Sequence, residues 1–281
     1  MRTRMPSTPG VVVRTAGAVM VSLLFLIPLL WVVASSFRPG NSAFGYTSPF
    51  TFEAFVPLGG DVSNYVALFD GYFVRAVGNS LLVAAATVVF GLVLSVFAAF
   101  ALSALQFPGR EAFFVVVVLS FLIPFDAIAI PMSAQFRDWG LANTYVGLIL
   151  PGLANGFAIF VLRQFFLGIP RELLEAARVD GLAWWRILWQ VYLPLCRPAL
   201  VGAGLMLFLS QWQSYVWPLL IGSDTEHHLA PIALANLRGQ LEVNFGQIFA
   251  GSVVLTLIPG LLLLTFQRHF TDSVAATGIK D

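Results

Sequence analysis

The residues of this chain best suited to chemistry lie in polar breaks between apolar runs. The longest break reads Pro170-Arg171-Glu172-Leu173-Leu174-Glu175-Ala176-Ala177-Arg178-Val179-Asp180-Gly181 and continues through Trp184, Trp185 and Arg186 to Leu193-Pro194. Pro170 suits the first position of a helix, Glu172 and Glu175 favour its positive end, and Asp180-Gly181 is a stop signal. The pattern predicts a short helix, a sharp turn and a second helix. Ala177 and Gly181 lie four apart, which leaves one side of the turn nearly bare of side chains. Another surface could then approach its backbone closely. Charges of both signs around that small face suit docking better than lipid.

A second group is Ser210, Gln211, Gln213, Ser214 and Tyr215, flanked by Trp212 and Trp217. Amides and hydroxyls beside aromatic rings suit a path for a hydroxylated solute, the rings packing on C–H surfaces while the amides exchange hydrogen bonds. Helix-to-helix hydrogen bonding and an interfacial aromatic belt account for the same residues without a solute. Asp126 follows Ile123-Pro124-Phe125. A charge at mid-bilayer costs about 2.5–3.5 kcal/mol or more, so Asp126 either lines a path or sits in an interfacial turn that Pro124 opens. Asn244 and Gln247 read as interface residues.

Several chemistries are excluded. A phosphate-binding loop of the G-x-x-x-x-G-K-[ST] kind needs a lysine, and the single lysine, Lys280, has no such loop before it. His227, His228 and His269 lack H-E-x-x-H spacing and cysteine companions, so no metal site is expected. No G-x-S-x-G elbow and no carboxylate pair within one apolar run point to hydrolysis. The lone Cys196 can form no internal disulfide and reads as a bystander. No catalytic residue is therefore assigned, and an enzyme acting alone is not expected.

The elements that must position these groups are membrane helices. Of 281 residues, 58% are hydrophobic and only 10% charged, with mean hydropathy +0.86. That is too apolar for a soluble core and too poor in charge to coat one. Scattered basic residues and a net charge of +1 exclude nucleic acid as a partner and leave the lipid bilayer. Apolar runs at about 15–36, 80–105, 112–132, 144–166, 199–221 and 245–266 each approach the length that spans a hydrocarbon core of roughly 30 Å. For the first run a cleaved signal peptide competes, because Ala34-Ser35-Ser36 offers small residues; the run is longer than the usual apolar region of about 7–15 residues. Pro124 and Pro131 kink or shorten the third run. Residues 38–78 form a long mixed loop with the acids Glu53, Asp61 and Asp70. The expected fold is all-α: a polytopic membrane protein of about six spans within 15–266, a polar loop at 167–198, and tails at 1–14 and 267–281.

Basic residues set the orientation. With both termini cytoplasmic, eleven of the fifteen fall inside, against Arg38, Arg75, Arg137 and Arg238 outside. The loop at 167–198 is then cytoplasmic and holds the densest group of arginines, which points to a soluble partner on that side.

Glu175-Ala176-Ala177, followed by Gly181 and then Leu193-Pro194, resembles the EAA loop of membrane permeases in binding-protein-dependent ABC importers. Asn79-Ser80-Leu81, Phe107-Pro108-Gly109, Trp217-Pro218-Leu219 and Gly278-Ile279-Lys280 look like the sugar-importer branch, which includes the smaller membrane subunit of maltose transporters. Gln211-Trp212-Gln213 departs from the Trp-Asn-acid pattern common there, and the tail ends Thr277-Gly278-Ile279-Lys280-Asp281 rather than Gly-Ala-Val-Lys-Gly. The resemblance implies a division of labour. A second, homologous permease completes the path, two ATP-binding subunits hold ATP and Mg, and an extracytoplasmic protein delivers the solute. Glu172, Glu175, Ala176, Ala177, Asp180 and Gly181 would couple to the ATPase, with Glu175 paired to a basic residue there. The solute would be a sugar; glycerol phosphate or another polyol derivative is the alternative. An ion-coupled secondary carrier would rest on Asp126 alone.

Overall fold

The computed structural model describes residues 8–44, 47, 50–56, 60, 62–69, 71–239 and 243–278, with only the backbone at 8, 9, 41, 239 and 268–278. Arg2, Arg4, Asp61, Asp70 and Lys280 fall outside the described residues, as do the side chains of Arg268 and His269. The chain divides into two compact units: Met1–Gly71 with Leu234–Thr256, and Tyr72–Ala233 with Leu257–Asp281. Among the described residues the regular structure is helical, apart from one isolated bridge between Thr47 and Phe50.

In the first unit, α1 (Thr8–Ser36) is exposed along its apolar length, as lipid contact requires. Its end is fastened by α2 (Ser63–Leu68), where Asn64 Nδ2 donates to Ser36 O at 2.8 Å and Arg38 O at 2.7 Å. Arg38 is itself buried and donates to the carbonyls of Glu53 and Val56.

The second unit is built on α3 (Tyr72–Ala104). This helix begins eight residues before the expected start at Ser80. Asn79 and Ser80 stand at the opening of the expected span, where polar residues interrupt the apolar run. Here they lie mid-helix and hold the segment after residue 225 instead. Asn79 Nδ2 donates to Glu226 O and His228 O, and Ser80 Oγ accepts from Ala230 N at 2.8 Å. The buried stripe Phe73, Ala76, Val83 carries the helical period through them.

The next spans are broken. α4 (Arg110–Leu122) stops before Ile123-Pro124, and α5 (Phe125–Asp138) restarts at 95° to it. Proline drives the preceding residue to extended backbone and brings no N–H; Ile123 is extended accordingly, at φ −75, ψ 120. α6 (Tyr145–Leu153) and α7 (Gly156–Leu167) meet at 40°, with the Asn155 side chain accepting from Ala158 N at 2.9 Å to cap α7. The polar loop holds α8 (Arg171–Val179), then α9 (Trp184–Ile187), a π-helical stretch over Leu188–Tyr192, and α10 (Leu193–Leu195). Pro194 cannot donate to the carbonyl four residues back, and the ladder widens over the turn before it. An 85° bend leads into α11 (Arg197–Trp212).

The expected fifth run at 199–221 is not one helix. α11 ends at Trp212, and α12 (Val216–Ile221) starts after a break at 213–215, because Pro218 has no N–H to donate to the preceding turn. α13 (Ala230–Asn236) follows, and the last helix, α14 (Phe245–Gly278), runs past the expected end at 266. Among the described residues three helices are long and apolar enough to cross a membrane, and up to six spans result if each bent pair is one.

Two cores hold the second unit. Near one end of α3, Val96, Ala99 and Phe100 pack with Leu162 and Phe166 of α7, Ile187, Leu188 and Tyr192. The buried Cys196 belongs to the same core. Nearer the other end, Val83 packs with Phe136, Leu148, Trp217 and Ile221. Arg163 closes the first core: Nε donates to Leu102 O at 3.0 Å, Nη2 pairs with Glu111 at 3.1 Å, and the guanidinium lies 3.7 Å from the Phe114 ring centroid. It ties α7 to the end of α3 and the start of α4. Arg163→Ala should cost roughly 3 kcal/mol, since it removes a buried charge-assisted bond and its packing. A fall in the detergent melting temperature checks this, with Arg186→Ala as the exposed comparison.

Candidate functional site

The first site is α8. Ala177 is 6% exposed and, with Leu174 beside it, packs into the core formed by Phe166, Ile187 and Tyr192. A helix turns about 100° per residue, so residues flanking that edge point elsewhere. Arg171 and Arg178 share one flank, while Glu172, Glu175, Ala176 and Val179 form the outward face. Val179 is 87% exposed. Neither Glu172 nor Glu175 makes an ion pair among the described residues.

One expectation changes here. Ala177 was read as part of an open small face, but it is the side chain that fastens the helix to its own protein. The small residue on the outward face is Ala176. The cause is helical phase: Leu174 packs against the core, and Ala177 follows it by the three-residue step, while Leu173 stays exposed. Gly181 has φ +76, with nothing within 4 Å of where a Cβ would stand. Its role is the left-handed turn, and the space beside it is open. Asp180 caps α8, its backbone N–H donating to Ala176 O at 3.0 Å, as Leu182 N does to Ala177 O at 3.0 Å.

The second site is a cavity of about 250 Å³ inside the helix bundle. Gln211 and Ser214 line it together with Ser210, Thr87, Asn155 and Trp217. Thr87 Oγ1 and Gln211 Nε2 are buried there without a hydrogen-bond partner. Gly152 forms part of the wall, and a Cβ on it would stand 2.8 Å from Thr87 Cγ2 and 3.0 Å from Gln211 Oε1. Trp217 is held by Nε1 donating to Gly147 O at 3.0 Å and by its edge-on ring contact with Phe136 at 5.0 Å. The wall offers amides, hydroxyls and ring faces.

Not every expected path residue arrives. Gln213 and Tyr215 sit in the break after α11 and are exposed, outside the cavity lining. A turn that ends a helix sends successive side chains in diverging directions, so their adjacency in sequence did not survive. Asp126 lies in the first turn of α5, exposed, while its neighbour Phe125 reaches the cavity. Pro124 thus opens a turn, and the carboxylate of Asp126 favours the N-terminus of the helix that follows. Thr87 and Asn155 were missed. Their signal was a lone hydroxyl in an apolar run and an amide just after Pro151-Gly152.

Comparison with known proteins fits this geometry. Residues 91–275 match the model of the binding-protein-dependent transport system inner membrane component family. The chain belongs to that family, a class of multi-pass membrane permeases. It is 31% identical over 269 residues to the arabinooligosaccharides transport system permease protein of Halalkalibacterium halodurans, covering 95% of both chains. It is also 31% identical to the sn-glycerol-3-phosphate transport system permease protein of Agrobacterium fabrum, over 76% of this chain and 80% of that one. Among solved structures, a chain of a bacterial ABC transporter that imports the acidic polysaccharide alginate superposes with TM-score 0.78 at 26% identity, covering 95% of this chain and 99% of that one.

The opposite orientations of two neighbouring alanines give a paired prediction. Ala177→Leu should overpack the core and cost about 1–3 kcal/mol, while Ala176→Leu should leave stability within about 0.5 kcal/mol. Thermal unfolding of the purified chain distinguishes them, and equal losses would contradict the assigned faces.

Proposed function

We propose that this chain forms half of the transmembrane path for a sugar in an ATP-driven importer and couples to a separate ATPase through α8. The observation that carries this reading is the division of α8 into an inner edge fixed in the core and an outward face with exposed Val179 and unpaired Glu172 and Glu175. Such a face suits a cleft with a basic residue for Glu175 and close approach over Ala176. The path is completed by a second, homologous permease. Two ATP-binding subunits hold ATP and Mg, and an extracytoplasmic binding protein delivers the solute. Both termini and α8 lie on the cytoplasmic side, in keeping with the distribution of arginines. The chain supplies no catalytic group of its own.

The coupling follows from packing. Leu174 and Ala177 share one core with α3, α7 and α11, so a displacement of α8 by ATPase closure moves those helices with it. They include the walls that carry Thr87 and Gln211. The cavity then alternates its access, and ADP release resets it.

The lining favours a neutral polyhydroxylated solute. Thr87 and Gln211 offer unspent hydrogen-bonding groups, Trp217 offers an aromatic surface, and no charged side chain is among the lining residues. The similarity to a glycerol-phosphate permease supports a polyol phosphate as the second reading. That solute needs a cation, which the partner permease would have to bring.

Reconstitution with the ATPase, the second permease and the binding protein tests both halves. Glu175→Lys should abolish solute-stimulated ATP hydrolysis and ATPase association while the fold persists. Gln211→Leu should keep association and lower uptake by about tenfold, the cost of one lost hydrogen bond to the moving solute. Unchanged association in Glu175→Lys would sink the docking role, and uptake driven by an ion gradient without ATPase would establish a carrier.

A further inference from the structure

A second hollow, of about 360 Å³, lies where α3 and α7 end against α8. Its polar wall carries the guanidinium groups of Arg110, Arg171 and Arg178, with Gln106 and a single carboxylate, Glu175. Arg110 and Arg171 also line an adjoining hollow of about 380 Å³, so both groups stand between the two. Arg110 is already engaged, by Glu111 at 2.9 Å and Leu105 O at 3.3 Å. Arg171 and Arg178 make no hydrogen bond or ion pair among the described residues. Arg178 is steered by stacking 4.9 Å from the Trp184 ring centroid. The two arginines lie seven residues apart, two helical turns, and so on one flank of α8.

Glu111 is shared between Arg110 and Arg163, so the wall of Arg110, Arg171, Arg178 and Glu175 keeps a net positive charge that an anion would neutralise. The level of the hollow indicates its kind. The long apolar helix α3 ends there beside the end of α7, and the exposed Trp184 forms part of the wall, an arrangement that suits a membrane interface. Guanidinium forks match phosphate oxygens in pairs. We propose that this hollow binds a phosphate or phosphodiester group, from an anionic phospholipid head group or from free phosphate, between Arg110, Arg171 and Arg178. It rests on the lining alone and stands whether or not α8 docks on an ATPase. A bound head group would hold the basic flank of α8, with Glu175 at the edge between that flank and the outward face.

The test uses the full chain, delipidated in detergent, with retained lipid counted by native mass spectrometry. Phosphatidylglycerol should bind wild type, phosphatidylcholine should not, and R171Q/R178Q should weaken phosphatidylglycerol binding roughly thirtyfold. Each single substitution should give about fivefold, which carries the test if the double variant loses its helical circular dichroism. R186Q/R197Q removes the same charge elsewhere and should bind like wild type. Displacement of the lipid by millimolar inorganic phosphate would make free phosphate a competent ligand, and failure to displace it would assign the site to the lipid. Equal phosphatidylglycerol binding in wild type and R171Q/R178Q, or an equal loss in R186Q/R197Q, would overturn the proposal.

Discussion

The rest of the structure depends on the burial of one helix edge. Leu174 and Ala177 sit among Phe166, Ile187, Leu188 and Tyr192, so α8 is part of the core and not a loop lying on it. Packing of this edge against the core keeps a nine-residue helix in place that would not persist alone in water. A helix fastened on one side can be pushed from the other. This makes an outward face of two acids, one alanine and one exposed valine mechanically useful, whatever surface it meets.

The second feature is the use of broken helices. Irregular backbone at membrane depth is tolerated only where protein or a polar cavity surrounds it. The breaks before α7 and on either side of α12 meet that condition with local hydrogen bonds. Asn155 caps α7, and Asn143, in left-handed backbone, donates to Ile221 O and accepts from Ser223 N at 2.8 Å each. Trp217 and Arg137 pin α12 to its neighbours, the latter through Leu220 O at 2.8 Å. With the backbone satisfied this way, the unspent groups of Thr87 and Gln211 stand out. Each is a burial cost of about 1–3 kcal/mol that a hydroxylated solute could relieve.

The sequence made much of this readable where hydropathy and turn chemistry agreed. Apolar length disclosed a membrane protein, and the order of charge, small residues, glycine and proline disclosed the family. Pro124 disclosed a break. What stayed hidden depended on three-dimensional phase or on partners far along the chain. Asn79 looked like a helix start because its acceptors, near residues 226 and 228, are remote in sequence. Ala176 and Ala177 are indistinguishable by type, and only the core decides which faces out. Gln213 and Tyr215 looked like cavity residues because a continuous helix was assumed through Pro218. Thr87 gave a one-letter signal among apolar neighbours, too weak until Gly152 and Gln211 are placed opposite it.

The central claim is that the outward face of α8, and not its inner edge, receives the ATPase. In a Cys196→Ser background, a membrane-impermeant maleimide would be applied to Val179→Cys in the isolated permease and in the assembled transporter. The account predicts rapid labelling of the isolated chain and strong protection after assembly, with Ala177→Cys slow in both. Labelling of Val179→Cys that is equally fast before and after the ATPase binds would contradict it.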